Sequence, residues 1–473
     1  MAKSKNGELA KNTLLFTINS FGSKIISFLL VPLYTSVLST RDYGSIDIMT
    51  STAQLLIPLL TLNIQDAVLR FSLDKTKSPQ KVMSVGYAIN VIATFFLAVV
   101  LLALKAANIL NFDATYIYFL FAVFVTGALQ NSLQMYAKAI DKVNLLVISG
   151  ISSTAISCLS NVLLLLVFKL GIYGYFISYI LGHLSAVIIM LFGGKLYKGV
   201  SCKLDHQLAK EMILFSAPLA INSISWWINS ASDKYILTFF WGVALNGIYS
   251  VAYKIPSILS MFQSIFYNAW SVSAITEFDK TDSDGFIGNT YSMYSCISTV
   301  GCSGIILFNI LLAKLLYAKD FFEAWHFVPF LLLGVTLNGI ALFEGCLFTA
   351  AKKTREVSKT TIIGAIINTI CNFALIPFWG ANGAAIATMI GYFAVWIVRT
   401  ISLQKIIKMK VSWRKHIIII ILLMIQMVLS EFAIIYTYAI QVILFILIII
   451  LQLESIKKNI GKLSEKIKRR LYT

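Results

Sequence analysis

This chain contains fourteen apolar stretches, each long enough to span a membrane, and short polar gaps separate them. The hydrocarbon core of a bilayer is about 30 Å thick, and a helix needs about 20 apolar residues to cross it. The mean hydropathy of +0.82 and the 58% of hydrophobic residues exclude a soluble globular protein. The sequence therefore predicts an all-α polytopic membrane protein with 14 transmembrane helices. Their predicted bounds are about 12–38, 44–66, 82–106, 114–140, 145–168, 172–197, 211–240, 244–270, 288–316, 321–350, 356–378, 382–404, 413–435 and 437–454.

Basic residues are concentrated in every second gap of this segmentation. Positive side chains are retained on the cytoplasmic side of a membrane, so the alternation predicts that both termini are cytoplasmic. The intervening gaps hold only Arg41, Lys105, Lys169, Lys314 and Lys319.

The formal net charge of +18 raises the question of a nucleic acid partner. The positive charge lies in the gaps between helices and in a basic tail over residues 457–473, and the predicted helices leave no soluble domain to present a basic face. Such a distribution fits anionic membrane lipids as partners and no nucleic acid.

Two parts of the chain share an internal repeat: a charged turn, a helix with a late asparagine, an apolar run and a Gly-x-x-Gly corner. The corresponding residues are Lys142, Asn161, Gly171 and Gly174 in the first copy, and Lys353, Asn372, Gly380 and Gly383 in the second. The repeat predicts an N-terminal lobe of helices 1–6 over residues 1–200 and a C-terminal lobe of helices 7–12 over 205–405. Helices 13 and 14, over 411–456, and the cytoplasmic tail 457–473 follow. Lobes with six spans each share one orientation, and such parallel repeats usually enclose a central cavity with alternating access.

Charged residues and prolines are concentrated in helices 1, 2, 7 and 8, the leading pair of each predicted lobe. An ionised side chain within lipid costs at least about 2.5 kcal/mol and tends to face a cavity or a partner. Proline kinks a helix and frees a backbone carbonyl. We therefore predict a substrate cavity and helix kinks here. The cavity candidates are Lys24, Asp47, Lys234, Lys254, Trp226 and Trp227, and the kink candidates are Pro32, Pro58, Pro218 and Pro256.

Helical register suggests one contact in that cavity. When Gly44 is aligned with Gly247, Lys254 corresponds to position 51, one turn from Asp47 on the same face. A contact between Asp47 and Lys254 is the resulting hypothesis. Trp226 and Trp227 could stack on a sugar, although packing between helices is the commoner role for such rings. Asp233, next to Lys234, and Glu344 in helix 10 are further charges within predicted spans; snorkelling to the outer interface is the alternative for the Asp233–Lys234 pair.

Motifs for catalysis or metal binding do not occur in the sequence. There is no phosphate-cradling glycine loop, nucleophile elbow or paired-histidine motif, and the cysteines form no C-x-x-C pair. The acidic loop 277–285 fails the register of a calcium loop and is expected to be a solvated turn. We expect no catalytic residue, no metal and no cofactor.

The opening of the chain carries a recognisable series of motifs: Val31-Pro32-Leu33-Tyr34-Thr35, Leu38-Ser39 and Asp42-Tyr43-Gly44, with a Gly380–Thr388 corner in the second half. These resemble the polysaccharide (O-antigen and capsule repeat-unit) flippases of the multidrug, oligosaccharidyl-lipid and polysaccharide exporter superfamily. The resemblance covers about residues 8–405. It implies a multi-pass protein of the bacterial cytoplasmic (inner) membrane that moves undecaprenyl-pyrophosphate-linked oligosaccharide from the inner to the outer leaflet, with a proton or sodium as a possible coupling ion. Helices 13 and 14 would then form a groove for the polyprenyl tail.

Two other functions remain open from the sequence. A cation-coupled, multidrug-type exporter would use the same fold. A membrane polysaccharide polymerase or glycosyltransferase belongs to a different class, and such enzymes resemble one another in carrying sizeable external loops, whereas the external gaps of this chain are short.

Overall fold

A computed structural model describes residues 22, 24–107, 114–199, 204–432, 434 and 436–453 of the chain. Most of these residues are helical and none of them is in a β-strand, which confirms the predicted all-α class. The start of predicted helix 1 and the predicted tail 457–473 lie outside the described residues.

The helices form two compact units, residues 1–232 and 233–473. The boundary falls within one long helix, α8. In the first unit the helices are α1 Lys24–Val37, α2 Thr40–Leu60, α3 Ile64–Ser72, α4 Pro79–Ala106, α5 Ala114–Ala139, α6 Val143–Val167, α7 Gly171–Gly193 and the first part of α8 His206–Trp241.

The second unit begins within α8 and continues to the last described residue. Its further helices are α9 Val243–Ala252, α10 Lys254–Thr276, α11 Phe286–Leu307, α12 Asn309–Leu316, α13 Val328–Ala350, α14 Thr354–Gln404, α15 Trp413–Ser430 and α16 Tyr436–Leu453. A 3-10 turn over Lys319–His326 precedes α13.

Eight of the described helices are long and apolar enough to cross a membrane, or ten when each of two bent pairs counts as one span. The bent pairs are α2–α3, at 55°, and α11–α12, at 67°. The chain is therefore a multi-pass membrane protein, and the count of 14 helices stays a prediction. Part of the difference between the predicted and the observed number of spans arises because the single helix α14 covers two predicted spans, 356–378 and 382–404.

The 51 residues of α14 would extend about 76 Å as a straight helix, far more than a bilayer requires. Gly380 breaks it with non-helical backbone angles, φ 53° and ψ −129°. The equivalent corner in the first unit has Gly171 at φ 54°. A left-handed φ of this kind favours glycine, which has no Cβ to clash. The two predicted corners therefore share a positive φ at their first glycine, and the internal repeat stays a prediction.

A second glycine in each corner allows close packing. A Cβ at Gly174 would lie 3.1 Å from the carbonyl oxygen of Leu164, and one at Gly383 would lie 2.5 Å from that of Leu375. Both glycines thus sit where the helical segment after the corner packs directly against the backbone of the segment before it. The Gly-x-x-Gly pattern seen in the sequence has a steric reason at each of its glycines.

The start of α2 explains part of the sequence motif near residue 40. The Ser39 hydroxyl accepts a 3.1 Å hydrogen bond from the Asp42 amide, and the Asp42 carboxylate accepts one of 3.3 Å from the Ser39 amide. This reciprocal capping box satisfies two amide groups that a helix start leaves without partners. Leu38 and Tyr43 on either side of it are buried.

The core of the first unit lies among α3, α4, α5, α7 and the start of α8. Ile64, Val68, Val82, Leu133 and Met190 are fully buried in it. Gly86 lets α3 and α4 approach closely, because an added Cβ there would meet the Val68 side chain at 2.7 Å. Lys77, in the linker between α3 and α4, pairs with Glu211 of α8 at 2.8 Å, and Lys81, in the first turn of α4, lies 3.6 Å from Asp205, just before α8.

Candidate functional site

A buried carboxylate, Asp233, is the centre of a polar cluster in the second unit. The Tyr249 hydroxyl donates a 2.7 Å hydrogen bond to Asp233 Oδ2, and the Tyr253 hydroxyl donates one of 3.2 Å to the same atom. Thr388 Oγ1 lies 3.5 Å from that oxygen, and the Lys234 amide donates to Oδ1 at 2.9 Å. Asp233 is 5% exposed and Tyr249 is fully buried.

Local sequence explains how these groups meet. Gly242 is the only residue between α8 and α9, and its φ of 86° reverses the chain so that Tyr249 comes to lie against Asp233. Tyr249 and Tyr253 are four residues apart, so their side chains project from the same side, and their hydroxyl groups are 3.1 Å apart. Thr388 follows the Gly380 break in α14. The cluster therefore joins α8, α9 and α14.

The cluster offers oxygen atoms in a site removed from solvent. A buried carboxylate is unfavourable unless it is hydrogen-bonded, protonated or paired with a cation. Hydroxyl and carboxylate oxygens are the ligands that hard cations prefer. Among the described residues there is no group of three or more His, Cys, Asp or Glu side chains that could hold a metal ion. The carboxylate and hydroxyl oxygens of the cluster are groups that can take up a proton or contact a small hard cation.

A second polar centre in the same unit surrounds Glu344 and Arg399. Glu344 is fully buried. Its Oε1 accepts a hydrogen bond of 2.7 Å from the Thr400 hydroxyl and one of 3.4 Å from the Tyr291 hydroxyl. Its Oε2 has no hydrogen-bond partner. Arg399 is 3% exposed.

The guanidinium of Arg399 is satisfied mainly by neutral acceptors from two other helical segments. Nη1 donates to the Ala341 carbonyl at 2.7 Å, Nε to the Thr360 hydroxyl at 3.1 Å and Nη2 to the Thr361 hydroxyl at 3.0 Å. Arg399 thus ties the end of α14 to its own beginning and to α13. Its hydrogen bonds to neutral acceptors give Arg399 the role of a structural clamp.

The structure divides the predicted cavity residues between the two units. Lys24, Asp47, Trp226 and Trp227 are in the first, and Lys234 and Lys254 are in the second. Lys24 is exposed at the start of α1, and Asp47 is half-buried on α2. Trp227 packs between helices, because its indole N–H donates 2.7 Å to the Ser51 carbonyl of α2, whereas Trp226 is 52% exposed. Lys234 and Lys254 are half-buried, Lys254 being the first residue of α10.

The four predicted kink prolines differ in their surroundings. Pro32 follows a turn at Leu30, and Pro256 follows the interruption between α9 and α10. Pro58 lies shortly before the 55° bend between α2 and α3. Helix α8 continues through Pro218. Breaks and bends therefore lie beside three of these four prolines in the described helices.

Most residues of the cluster around Asp233 were not predicted from the sequence. The sequence singled out Asp233 as a charge that could snorkel, but the structure buries it under two tyrosines. Tyr249 and Tyr253 were visible only as aromatics, and their i, i+4 spacing next to a break was the available signal. Arg399 was not among the predicted site residues, although its position inside the predicted span 382–404 distinguishes it from the lysines that follow.

The acidic loop 277–285 is more ordered than a solvated turn. Asp282 is fully buried, and its carboxylate accepts 3.0 Å hydrogen bonds from the amides of Ile287, Gly288 and Lys410. The Lys408 amide also donates 3.0 Å to the Lys280 carbonyl. Half-buried Asp279 organises the turn itself: hydrogen bonds from the backbone of Ser283 and Thr281 hold the pKa of its carboxyl well below the usual range. The loop thus fastens the end of α10 to the linker before α15.

An apolar groove of about 410 Å³ lies between the last part of α14 and α15. Trp396, Thr400, Ile417 and Ile420 are among its lining residues. The predicted tail groove was assigned to helices 13 and 14, which correspond to α15 and α16. The groove described here is lined instead by α14 and α15, and the earlier assignment stays a prediction.

Comparison with known proteins places this architecture. Residues 9–271 match the family described as polysaccharide biosynthesis protein. An uncharacterized membrane protein of Methanocaldococcus jannaschii is 27% identical over 271 residues, which cover 52% of this chain and 50% of that protein. A probable low-salt glycan biosynthesis flippase, Agl15, of Haloferax volcanii is 21% identical over 210 residues, 43% of this chain and 44% of that protein. The chain thus matches about half the length of these two relatives.

Solved structures show the same fold. The lipid II flippase MurJ in an inward closed conformation superposes with a TM-score of 0.66 at 13% identity, covering 94% of this chain and 99% of that chain. An inward-facing multidrug resistance MATE family transporter of the MOP superfamily gives a TM-score of 0.62 at 10% identity, covering 82% and 96%. With more than half of its residues matched by the family, the chain belongs to the polysaccharide biosynthesis protein family, as the motifs near residue 40 predicted.

Proposed function

We propose that this protein is a flippase that moves undecaprenyl-pyrophosphate-linked oligosaccharide repeat units from the inner to the outer leaflet of the bacterial cytoplasmic membrane. The observation that carries the proposal is the family match over residues 9–271. The similarity to Agl15, described as a probable glycan biosynthesis flippase, and the fold shared with MurJ support it. The relatives described as flippases or transporters support a transporter rather than a polymerase or glycosyltransferase.

In the proposed mechanism, the two lobes alternate between inward-facing and outward-facing states around one substrate site. Lys24, Lys234 and Lys254 neutralise the pyrophosphate, and Trp226 offers an exposed ring for a sugar face. Asp47 sets the position of a lysine through its opposite charge. The oligosaccharide crosses within the protein while the polyprenyl chain remains in lipid.

The Asp233 cluster supplies the coupling site in this proposal. Binding of a proton or of a sodium ion would neutralise Asp233 and change the hydrogen bonds that join α8, α9 and α14. Because these helices include the break at Gly242 and the corner at Gly380, the ion would bias a part of the chain that has natural hinges.

A flipping assay tests the proposal directly. The protein is reconstituted in vesicles with an undecaprenyl-pyrophosphate oligosaccharide that carries a fluorophore, and a membrane-impermeant quencher reports the leaflet. We expect protein-dependent movement of the lipid-linked oligosaccharide. Absence of movement with or without an imposed ion gradient, in protein that is monodisperse and folded, would contradict the proposal.

A multidrug-type exporter is the second candidate. It is favoured by the buried acid Asp233 and by the fold shared with the MATE transporter. Such an exporter would carry a fluorescent organic cation out of the same vesicles and leave the lipid-linked oligosaccharide where it is. The two assays in parallel separate the two functions.

A further inference from the structure

A basic pocket of about 470 Å³ lies in the second unit, where α13 ends and where α14 both begins and ends. Four cationic residues line it, together with Ser402, Glu356 and Ile406. They are Lys352, Lys353, Arg355 and Lys405, all exposed. The charge pattern predicts that this end of the helices faces the cytoplasm.

Glu356 is the single carboxylate that lines this basic pocket, and it is paired with a lysine that does not line the pocket. Glu356 forms an ion pair of 2.9 Å with Lys359, one turn further along α14. The four cations therefore give the pocket a strong positive potential. A ligand that neutralises it must be anionic, and side-chain N–H donors and the Ser402 hydroxyl are available to its oxygens.

The start of α14 adds to this potential. The helix begins at Thr354, and its N-cap residue Lys353 makes no side-chain capping hydrogen bond. The first turn of a helix presents unpaired amide groups and the positive end of the helix dipole, which favour an anion. The pocket thus combines an uncapped helix start with four cations within one cavity.

The apolar groove between α14 and α15 adjoins this basic pocket. Ile401 and Gln404 line the groove, whereas the next residues along the helix, Ser402 and Lys405, line the pocket. Successive residues of a helix project about 100° apart, so the two cavities occupy adjacent faces of the last turn of α14. An anionic site next to a chain-sized apolar groove matches the two parts of a lipid.

We propose that the basic pocket binds the phosphate headgroup of an anionic phospholipid from the inner leaflet, with one acyl chain of that lipid in the adjoining groove. Free phosphate shares the headgroup chemistry but has nothing to place in the groove. This inference does not rest on the proposed flippase activity, because it concerns a bound lipid and is measured by binding.

The test titrates the full-length protein, purified in a neutral detergent, with phosphatidylglycerol, phosphatidylcholine or inorganic phosphate, and counts bound lipids by native mass spectrometry. The double variant K353Q/R355Q removes two charges from the pocket. A matched control, K75Q/K138Q, removes two exposed charges of the first unit, one from the linker after α3 and one from the last turn of α5. A third variant, Ile401→Trp, fills the groove and leaves the cations in place.

Phosphatidylglycerol should bind the pocket variant about 10- to 30-fold more weakly than the wild type, since each basic residue near an anionic lipid contributes about 1 kcal/mol. The control should keep wild-type affinity for phosphatidylglycerol. Ile401→Trp should weaken the binding of phosphatidylglycerol but not the binding of inorganic phosphate. Equal loss in the pocket variant and the control would overturn the site in favour of diffuse attraction. Equal binding of phosphatidylcholine, or full competition by inorganic phosphate at equal concentration, would overturn the lipid assignment.

Discussion

The hydroxyl of Tyr249 donates a 2.7 Å hydrogen bond to the carboxylate of Asp233, and neither residue has appreciable contact with solvent. Tyr253 donates to the same oxygen from one turn further along. A buried carboxylate held by two hydroxyl donors is stabilised in one position, yet it can exchange those donors for a proton or a cation.

Replacement of Asp233 by Asn is expected to abolish ion coupling while preserving the fold, because the amide oxygen still accepts from Tyr249 and Tyr253. Gradient-driven flipping should fall by about 5- to 150-fold, the range of typical coupling energies. Tyr249→Phe should cause a smaller loss. The assay compares vesicles with an imposed proton gradient, an imposed sodium gradient and no gradient.

Asp320→Asn is the matched control, since Asp320 is an exposed carboxylate of the same unit. If Asp233→Asn responded to both gradients as the wild type does, the cluster would have no coupling role. Sodium that raises the melting temperature of the wild type but not of Asp233→Asn would identify sodium rather than a proton as the ion.

Asp47 and Lys254 provide a test of the predicted cavity. Asp47→Lys and Lys254→Asp should each reduce flipping about tenfold or more, because an unbalanced charge within lipid costs at least about 2.5 kcal/mol. The double swap Asp47→Lys/Lys254→Asp should recover a large part of the rate in the vesicle assay. A double variant as inactive as either single variant would remove the hypothesis that these two residues interact.

Arg399 is expected to stabilise the second unit without taking part in transport chemistry. Arg399→Ala should lower the free energy of unfolding by about 2–4 kcal/mol, because Thr360, Thr361 and the Ala341 carbonyl lose a charged donor in a buried site. Thermal unfolding in detergent measures the change. Arg414→Ala, which removes an exposed arginine of the next helix, should leave the melting temperature unchanged.

The acidic loop should depend on Asp282 more than on its exposed neighbours. Asp282→Ala removes the acceptor of three amide hydrogen bonds and should cost about 1–3 kcal/mol of stability. Hydrogen exchange should then accelerate at Ile287, Gly288 and Lys410. Glu277→Ala, at an exposed position of the same loop, should change neither property. Unchanged exchange in Asp282→Ala would show that the loop is fastened by other contacts.

The turn formed by Asp279 should resist mild acid. A carboxyl group whose pKa is lowered on folding contributes stability that is fully present above the unfolded pKa and is lost as pH falls through the folded pKa. Since the pKa of Asp279 lies well below the usual range, exchange protection of the Ser283 amide should persist from neutral pH to about pH 4. Asp279→Asn should reduce that protection at all these pH values. Protection lost already near pH 5 would contradict the prediction.

Several elements were predictable because they depend on local chemistry. The Gly171 and Gly380 corners were marked by a pattern that only glycine satisfies, and both adopt a left-handed φ in the structure. The capping box at Ser39 and Asp42 was part of the motif that led to the family. Predicted spans 356–378 and 382–404 agree with α14 once its break at Gly380 is taken into account.

The sequence by itself determined that this chain is an all-helical membrane protein, because apolar length is a local property of the chain, and its motifs resemble the family that the comparison with known proteins shows. Only the tertiary structure decided which polar side chains share an environment. Asp233 meets Tyr249 and Thr388, and Arg399 meets Thr360, through helices that are far apart in sequence. Burial and hydrogen-bond partners are set by packing between helices. Asp233, which the sequence allowed to lie at the membrane interface, is therefore buried in the structure.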